Sequence, residues 1–501
     1  MAPASCSQGE IAVVSATSAA APTQRLLGAA GRFVSMAPTL VWLRDDLRLG
    51  DNPALTAALQ CDNDDLIICF VFDEKSPGIR PLGGATRWWL HHSLASLSRA
   101  VTALGSQLVL RSGQAGEVIR GLVAETGADR VLWNRRYAHP ERTIDAELKS
   151  WCADNGVEAT SYQANLLFEP WQVSTGAGGP YKVFTPFWRA CMGQPEPRAP
   201  LPAPERLAGP TLPSEELSSW DLLPTTPDWA AGLQEQWTPG EEGAWGRVNA
   251  FLDGSVEGYA ANRDLPGVEG TSRLSPHLRF GEISPFQIWH ESQAATNGAV
   301  ASDIKVFGSE VGWREFCWQL LYHNTDLATQ NYRREFDGFA WQTPTPGELG
   351  AWQRGQTGYP LIDAGMRQLW DTGWMHNRVR MATASFLIKN LMVDWRVGEQ
   401  WFWDTLVDAD SASNPANWQW VAGSGADASP YFRIFNPVTQ SKKFDSGGIY
   451  LKRFVPELRE AANVHEPWKA AQPPKDYPAP VVDLAATRER ALSAYQDLRA
   501  D

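Results

Sequence analysis

Across its 501 residues the chain has no apolar run near the roughly 20 residues that cross a bilayer, so no membrane-spanning helix is expected. Cysteine is sparse. The six (Cys6, Cys61, Cys69, Cys152, Cys191, Cys317) are scattered, without a CxxC pair or metal-ligand spacing. That excludes a disulfide framework and a zinc site, and predicts reduced, packed thiols in a cytoplasmic protein. Positive charge is also short, with 44 Lys and Arg against 57 Asp and Glu and a net charge of −13. A nucleic-acid partner would therefore need a local basic face on an acidic protein. There are no internal repeats. The 43% hydrophobic and 20% charged fractions describe a globular protein, too long for one ordinary core, so two domains are expected.

Tryptophan is in excess, at 24 residues. Most of these indoles are expected to be packing residues, but indoles also stack on bases and relay single electrons. The first 35 residues are rich in Ala and Ser, poor in acids and without hydrophobic periodicity, and Met36 precedes the first strand-like run. A disordered extension or an upstream start is favoured there over a transit peptide, because arginines are few.

From Thr39 to Leu167, short runs apolar on both faces (Leu40–Leu43, Leu66–Phe72, Leu108–Leu110, Val131–Trp133) are separated by helical stretches. This pattern predicts an open, Rossmann-like parallel sheet with crossover helices. Asp51-Asn52-Pro53 supplies an Asx cap and an early proline for the first helix. Residues 168–237, with their proline-rich stretches, are expected to form a connector. From 238 to 490 the pattern is helical, as where Tyr359-Pro360 leads into Ile362, Met366, Leu369 and Trp370, with a tail at 491–501. The expected fold is thus an α/β domain over 36–167 and an all-α domain over 238–490.

Polar groups mark three places in the helical half. Tyr259, followed by Thr271, Ser272, Leu274 and Ser275 before Pro276, clusters hydroxyls at a helix start that suits phosphate oxygens. Glu310, Trp313 and Arg314 fall at i, i+3 and i+4 on one helical face. From Trp374 to Trp420, Asn377, Arg378, Arg380, Met381, Asp408, Asp410 and Asn414 are interleaved with Trp395 and Trp418. Packing alone does not account for so many polar groups among indoles. Gly423-Ser424-Gly425-Ala426-Asp427-Ala428 resembles a dinucleotide-binding turn but has no strand before it.

With WLRDDLRLGDNPAL (42–55), YKVFTPFWRAC (181–191), EGTSRLSPHLRFGEIS (269–284), GYPLIDAGMRQL, GWMHNRVRM and WQW…DASPYFRIFNP in this order, the chain resembles the DNA photolyase/cryptochrome family. Within it, the resemblance is to class I-like cyclobutane pyrimidine dimer photolyases. It implies light-driven repair of such dimers in UV-damaged DNA by electron transfer from reduced FAD. The enzyme would be a cytoplasmic monomer without an obligate protein partner. It also implies a second antenna chromophore, methenyltetrahydrofolate in preference to 8-hydroxy-deazaflavin.

By that resemblance, Tyr259, Thr271, Ser272, Leu274 and Ser275 hold the phosphate and ribityl region of FAD, and Arg314 lies against the cofactor. Asp408 bonds the isoalloxazine edge with Arg380 as its ion partner, Asp410 sits beside it, and Asn414 faces N5. Glu310, Trp313, Asn377, Arg378, Met381 and Trp420 line the dimer pocket. Trp418, Trp395 and Trp341 form an electron relay. Arg433, with the Lys442-Lys443 and Lys452-Arg453 pairs, gives a basic rim for phosphates. A (6-4) photoproduct enzyme would carry histidines where Asn377 and Met381 stand. A plant-type cryptochrome, the rival without repair activity, would carry aspartate at Asn414 and lose Trp420.

Overall fold

The protein is described from a computed structural model, covering residues 26–27, 33–34, 37–60, 65–296, 298–428 and 432–500. It divides into two units, Met1–Met36 and Ala37–Asp501. In the first, Leu26–Leu27 pairs antiparallel with Phe33–Val34. The rest of the expected N-terminal extension, with Cys6, Met36 and also Cys61, lies outside the described residues.

The second unit begins with five parallel strands: β1 (Thr39–Leu43), β2 (Leu66–Phe72), β3 (Leu108–Ser112), β4 (Arg130–Asn134) and β5 (Glu158–Tyr162). Their order is β3-β2-β1-β4-β5. Val41 of the central strand pairs with Ile68 on one side and Leu132 on the other. Because side chains alternate along a strand, the sheet feeds two cores. Val41, Leu43, Ile68 and Phe70 enter one core with Trp88, Trp89 and Leu94 of the Gly84–Ala103 helix. Leu40, Trp42, Ile67 and Trp133 enter the other. The first core also takes in Phe280, Trp374 and Val407, so the sheet side and the helical side share one apolar interior.

The segment from Arg44 to Asn52 is a polar stitch between them. Arg48, fully buried, donates to the carbonyls of Asp51 (3.1 and 2.9 Å), Ala164 (3.2 Å) and Gly281 (2.9 Å). Burial costs a guanidinium so much that it must find several acceptors at once, and these three fix where the segment runs. Asp51 accepts from Arg198 and Ser284 (both 2.5 Å), and Glu241 takes the amides of Leu49 and Gly50. Gly281, at φ 63°, passes so close that a Cβ would lie 1.9 Å from the Asp45 carbonyl. Only glycine fits there.

The helical part is built around Ala301–His323, Pro360–Thr372, Asn377–Ser385, Trp395–Thr405 and Ser413–Ala422. Asn52 caps its helix through Leu55 N (3.2 Å), and Pro360 opens the Pro360–Thr372 helix. Three features differ from expectation. A fifth strand, β5, was not foreseen. The connector contains the Phe184–Cys191 helix, which packs on Ala301–His323 so tightly that a Cβ at Gly312 would lie 2.6 Å from the Trp188 ring. The Leu484–Ala500 helix runs through the boundary expected at 490. No helix among the described residues is long and apolar enough to cross a membrane. Cys69, Cys152, Cys191 and Cys317 are buried and free.

Candidate functional site

The one-face spacing of Glu310, Trp313 and Arg314 on the Ala301–His323 helix holds, but each side chain has a different partner. Glu310 pairs with Arg263 at 2.7 Å. Burial raises its carboxyl pKa, against the opposing pull of that guanidinium. Trp313 lies parallel to Phe184, with ring centroids 3.9 Å apart. Arg314 donates to the Asn165 carbonyl at 2.7 Å. Its neighbour Glu315 accepts from Phe168 N at 3.2 Å and is pushed up to about 7 by burial.

The Asn377–Ser385 helix is capped by His376, whose Nδ1 accepts from Arg378 N at 3.2 Å. Burial lowers this imidazole to about 4, so the ring is neutral. Asn377 is exposed, and Met381 is half-buried with its Sδ 3.8 Å from an Arg378 nitrogen. Arg378 pairs with Asp264 and lies over the Phe444 ring. The adjacent residues Arg263 and Asp264 thus hold Glu310 and Arg378 respectively, linking four charges of alternating sign. The sequence analysis assigned neither residue a role. Their neighbouring opposite charges, directly after the Tyr259–Asn262 helix, were the available signal.

Two positions along the same helix from Arg378, Arg380 binds Asp408 with both terminal nitrogens, at 3.1 and 2.8 Å. Ser275 donates to the same carboxylate at 2.6 Å. The structure therefore joins residues 275, 380 and 408; a bond from Ser275 to Asp408 was not among the expectations. Leu274 and Tyr259 are buried close by in sequence, with Thr271 and Ser272 half-buried in the turn between. Ser275 lies inside its helix and Leu274 takes the cap position, because the Ser275 hydroxyl is committed to Asp408. Asp410 accepts from the amides of Ala412 and Ser413 and so fixes the start of the Ser413–Ala422 helix. Asn414 donates both bonds of its amide nitrogen to Glu399, to the carbonyl at 3.1 Å and to Oε1 at 2.8 Å. The carbonyl end of its side chain is left to face the other way.

Trp418 and Trp395 are buried in one core with Trp341 packed against its edge. Trp418 meets Phe402 and Trp352 edge-on, Trp395 donates to Asn331 at 2.9 Å, and Trp341 lies on Phe339. Trp420 donates to the Asp427 carbonyl at 3.1 Å and lines a groove with Lys389, Ala428, Arg433 and Phe435. Lys389, unassigned in the sequence, is buried, donates to the Arg433 carbonyl at 2.8 Å, and is lowered to about 7 by burial.

In the basic rim, Lys442 pairs with Glu466 and Arg453 with Glu269, so two of its five cations already have neighbouring carboxylates. Gly423 ends a helix and no strand precedes it, in keeping with the dismissal of the dinucleotide-like turn. No metal-holding group of three acidic, His or Cys side chains occurs among the described residues.

Fold and site together define a parallel-sheet domain joined to a helical domain with a polar, indole-lined pocket. Residues 39–205 match the family described as DNA photolyase, and residues 307–497 match the FAD binding domain of DNA photolyase. The deoxyribodipyrimidine photo-lyase of Agrobacterium fabrum is 52% identical over 92% of this chain and 98% of its own length. A solved bacterial class III photolyase from Agrobacterium tumefaciens is 49% identical, covers 95% of this chain and all of its own, and superposes with a TM-score of 0.90. Cryptochrome-1 of Arabidopsis thaliana is more distant, 33% identical over 92% of this chain and 70% of its own length. The chain belongs to the DNA photolyase/cryptochrome family.

Proposed function

We propose that the protein is a deoxyribodipyrimidine photo-lyase, a carbon–carbon lyase that uses light to split cyclobutane pyrimidine dimers in UV-damaged DNA with FAD as cofactor. The likeness to the class III enzyme favours that subclass over a class I assignment. One observation carries the reading. The Asn377–Ser385 helix joins the Ser275–Asp408–Arg380 cluster, through Arg380, to the charge pairs Arg378–Asp264 and Arg263–Glu310, through Arg378.

The donor set fits a flavin dinucleotide. Tyr259, Thr271 and Ser272 offer hydroxyls, Leu274 an apolar side and Arg314 a cation, while the Ser275 hydroxyl steadies Asp408. Asp408, kept in place by Arg380, accepts from the ring edge, with Asp410 beside it. With its amide nitrogen held by Glu399, Asn414 would offer its carbonyl to N5–H of a bound flavin, which would favour the reduced cofactor. Reduced, light-excited FAD supplies the electron that opens the dimer and receives it back.

The chain's own work is placement. A dimer stacks poorly, so extruding it costs less than extruding a normal base. Trp313 and Trp420 clamp it, Met381 fills the gap between them, and Asn377 and Glu310 bond the base edges. Arg378 and Arg433 meet phosphates, a task for which Arg378 must leave Asp264. Trp418, Trp395 and Trp341 carry electrons inward from the surface.

Residues 36–167 serve in this reading as the antenna part, 168–237 as the connector and 238–490 as the FAD part. The antenna chromophore is methenyltetrahydrofolate rather than 8-hydroxy-deazaflavin. An absorption spectrum of protein from the native host distinguishes the two. Buried free thiols support a cytoplasmic location, where the enzyme acts as a monomer.

The test is loss of thymine dimers from an oligonucleotide under blue light with FAD-loaded, photoreduced protein. Glu310→Ala should slow repair and keep the flavin spectrum. Dimers left intact by the unaltered protein overturn the repair reading in favour of a photoreceptor.

A further inference from the structure

The geometry points to Arg80 as the positioning residue that fixes which end of the Asn414 amide faces the flavin. An asparagine side chain is nearly symmetric in shape, and only its hydrogen bonds decide whether carbonyl or amide points at a ligand. Both Asn414 N–H bonds go to Glu399, so the orientation of Asn414 is as secure as Glu399 itself. Glu399 is almost fully enclosed, with a side-chain exposure of 4%. Arg80 grips both of its carboxylate oxygens, Nη1 to Oε1 at 2.7 Å and Nη2 to Oε2 at 2.9 Å. Glu399 Oε1 is therefore the shared acceptor of Arg80 and Asn414.

Arg80 is itself braced. Its guanidinium lies 3.9 Å over the Trp403 ring and also donates to Gln400 Oε1 at 2.7 Å. The loop that carries it is clamped to the same helix. Trp403 donates to the Pro81 carbonyl at 2.9 Å, Gly84 N donates to Asp404 at 2.8 Å, and a Cβ at Gly83 would lie 2.1 Å from the Trp403 carbonyl. A bidentate guanidinium on a planar carboxylate sets its plane as well as its place. The loop that follows strand β2 thus reaches the flavin's N5 position through two side chains, Arg80 and Glu399.

Without Arg80, the enclosed carboxylate loses its clamp and turns towards other donors. The Asn414 amide then keeps only its bond to the Glu399 backbone carbonyl, and the flipped rotamer, which would present N–H to N5, gains population. Oxidised flavin accepts at N5 and reduced flavin donates, so this rotation favours the oxidised cofactor.

This inference rests on the proposed role of Asn414 at N5, and spectroelectrochemistry of the FAD-loaded protein separates the two claims. Arg80→Met keeps the stem on Trp403 and removes the clamp. A tenfold loss of preference for reduced flavin lowers the midpoint potential by about 30 mV for the two-electron couple. Arg80→Lys, which retains one charged donor, should fall between Met and the native residue. In an Asn414→Ala background, Arg80→Met should cause no further shift. A native midpoint in Arg80→Met with full FAD content overturns the inference, as does a shift that persists without Asn414. If Arg80→Met does not retain FAD, Glu399→Leu replaces it: the side-chain acceptor shared by Arg80 and Asn414 is then gone, and an unchanged midpoint overturns the inference. An unchanged midpoint in Asn414→Ala alone overturns the N5 role instead.

Discussion

Gly398 is the position where a single methyl group should act on the proposed electron relay. It lies in the Trp395–Thr405 helix, and a Cβ there would be 2.1 Å from Trp418 Cη2, 2.4 Å from Cζ3 and 2.6 Å from Leu387 Cδ2. Unstrained carbon contacts are about 3.5–4.0 Å, so the indole must retreat by more than ~1 Å. It has nowhere to go. Trp418 is 3% exposed, with Phe402 at 4.9 Å and Trp352 at 6.4 Å. Overpacking of this kind costs about 1–3 kcal/mol, while alanine in place of helical glycine returns about 1 kcal/mol. The net effect of Gly398→Ala is a loss of about 0–2 kcal/mol, which by itself would be hard to interpret. Gly246 provides the internal standard. It is exposed on the Glu241–Ala250 helix with nothing within 4 Å of a Cβ, so Gly246→Ala should gain the helix term alone. Urea denaturation should then separate the two variants by about 1–3 kcal/mol. Photoreduction of oxidised flavin should slow only in Gly398→Ala. Equal stability of the two variants, with equal photoreduction, would refute the packing argument and the relay position of Trp418 together.

Three further perturbations address other parts of the site. Asp408→Asn leaves the Arg380 guanidinium without its carboxylate; with side chains 26% and 4% exposed for Arg380 and Asp408, the cost should be about 2–3 kcal/mol. The variant should also lose FAD on gel filtration, and full retention would count against Asp408 as a flavin contact. Lys389 titrates near 7 when folded and near about 10.4 when unfolded. The unfolded chain holds the extra proton between these values, so stability rises with pH across that window, by at most about 1.4 kcal/mol per unit. Lys389→Met should remove that slope in urea titrations, and parallel slopes for both proteins would contradict it. Arg378→Gln should weaken binding of dimer-containing DNA and reduce the salt slope by about 1, leaving the flavin spectrum unchanged. An unaltered salt slope would mean that Arg378 stays with Asp264 and never reaches a phosphate.

Periodicity and capping show in a sequence because they depend on neighbours a few positions apart. Buried strands β1, β2, β3 and β4, the Asn52 cap and the Pro360 start were therefore readable. β5 was not, because Glu-Ala-Thr-Ser-Tyr lies half-exposed at the sheet edge and never forms an apolar run. The site divides in the same way. The spacing of Glu310, Trp313 and Arg314 predicts a shared face, yet the partners Arg263, Phe184 and Asn165 come from three different segments. Arg80 and Glu399 stand 319 positions apart, and nothing local to either marks the pair. A carboxylate on an otherwise amphipathic helix reads as solvated until its burial is known. Burial is what turns Glu399 from a surface charge into a group that must be paired, and therefore into one able to hold Asn414. Electrostatic control of this pocket follows from tertiary burial, while the residue types that exploit it were already visible in the chain.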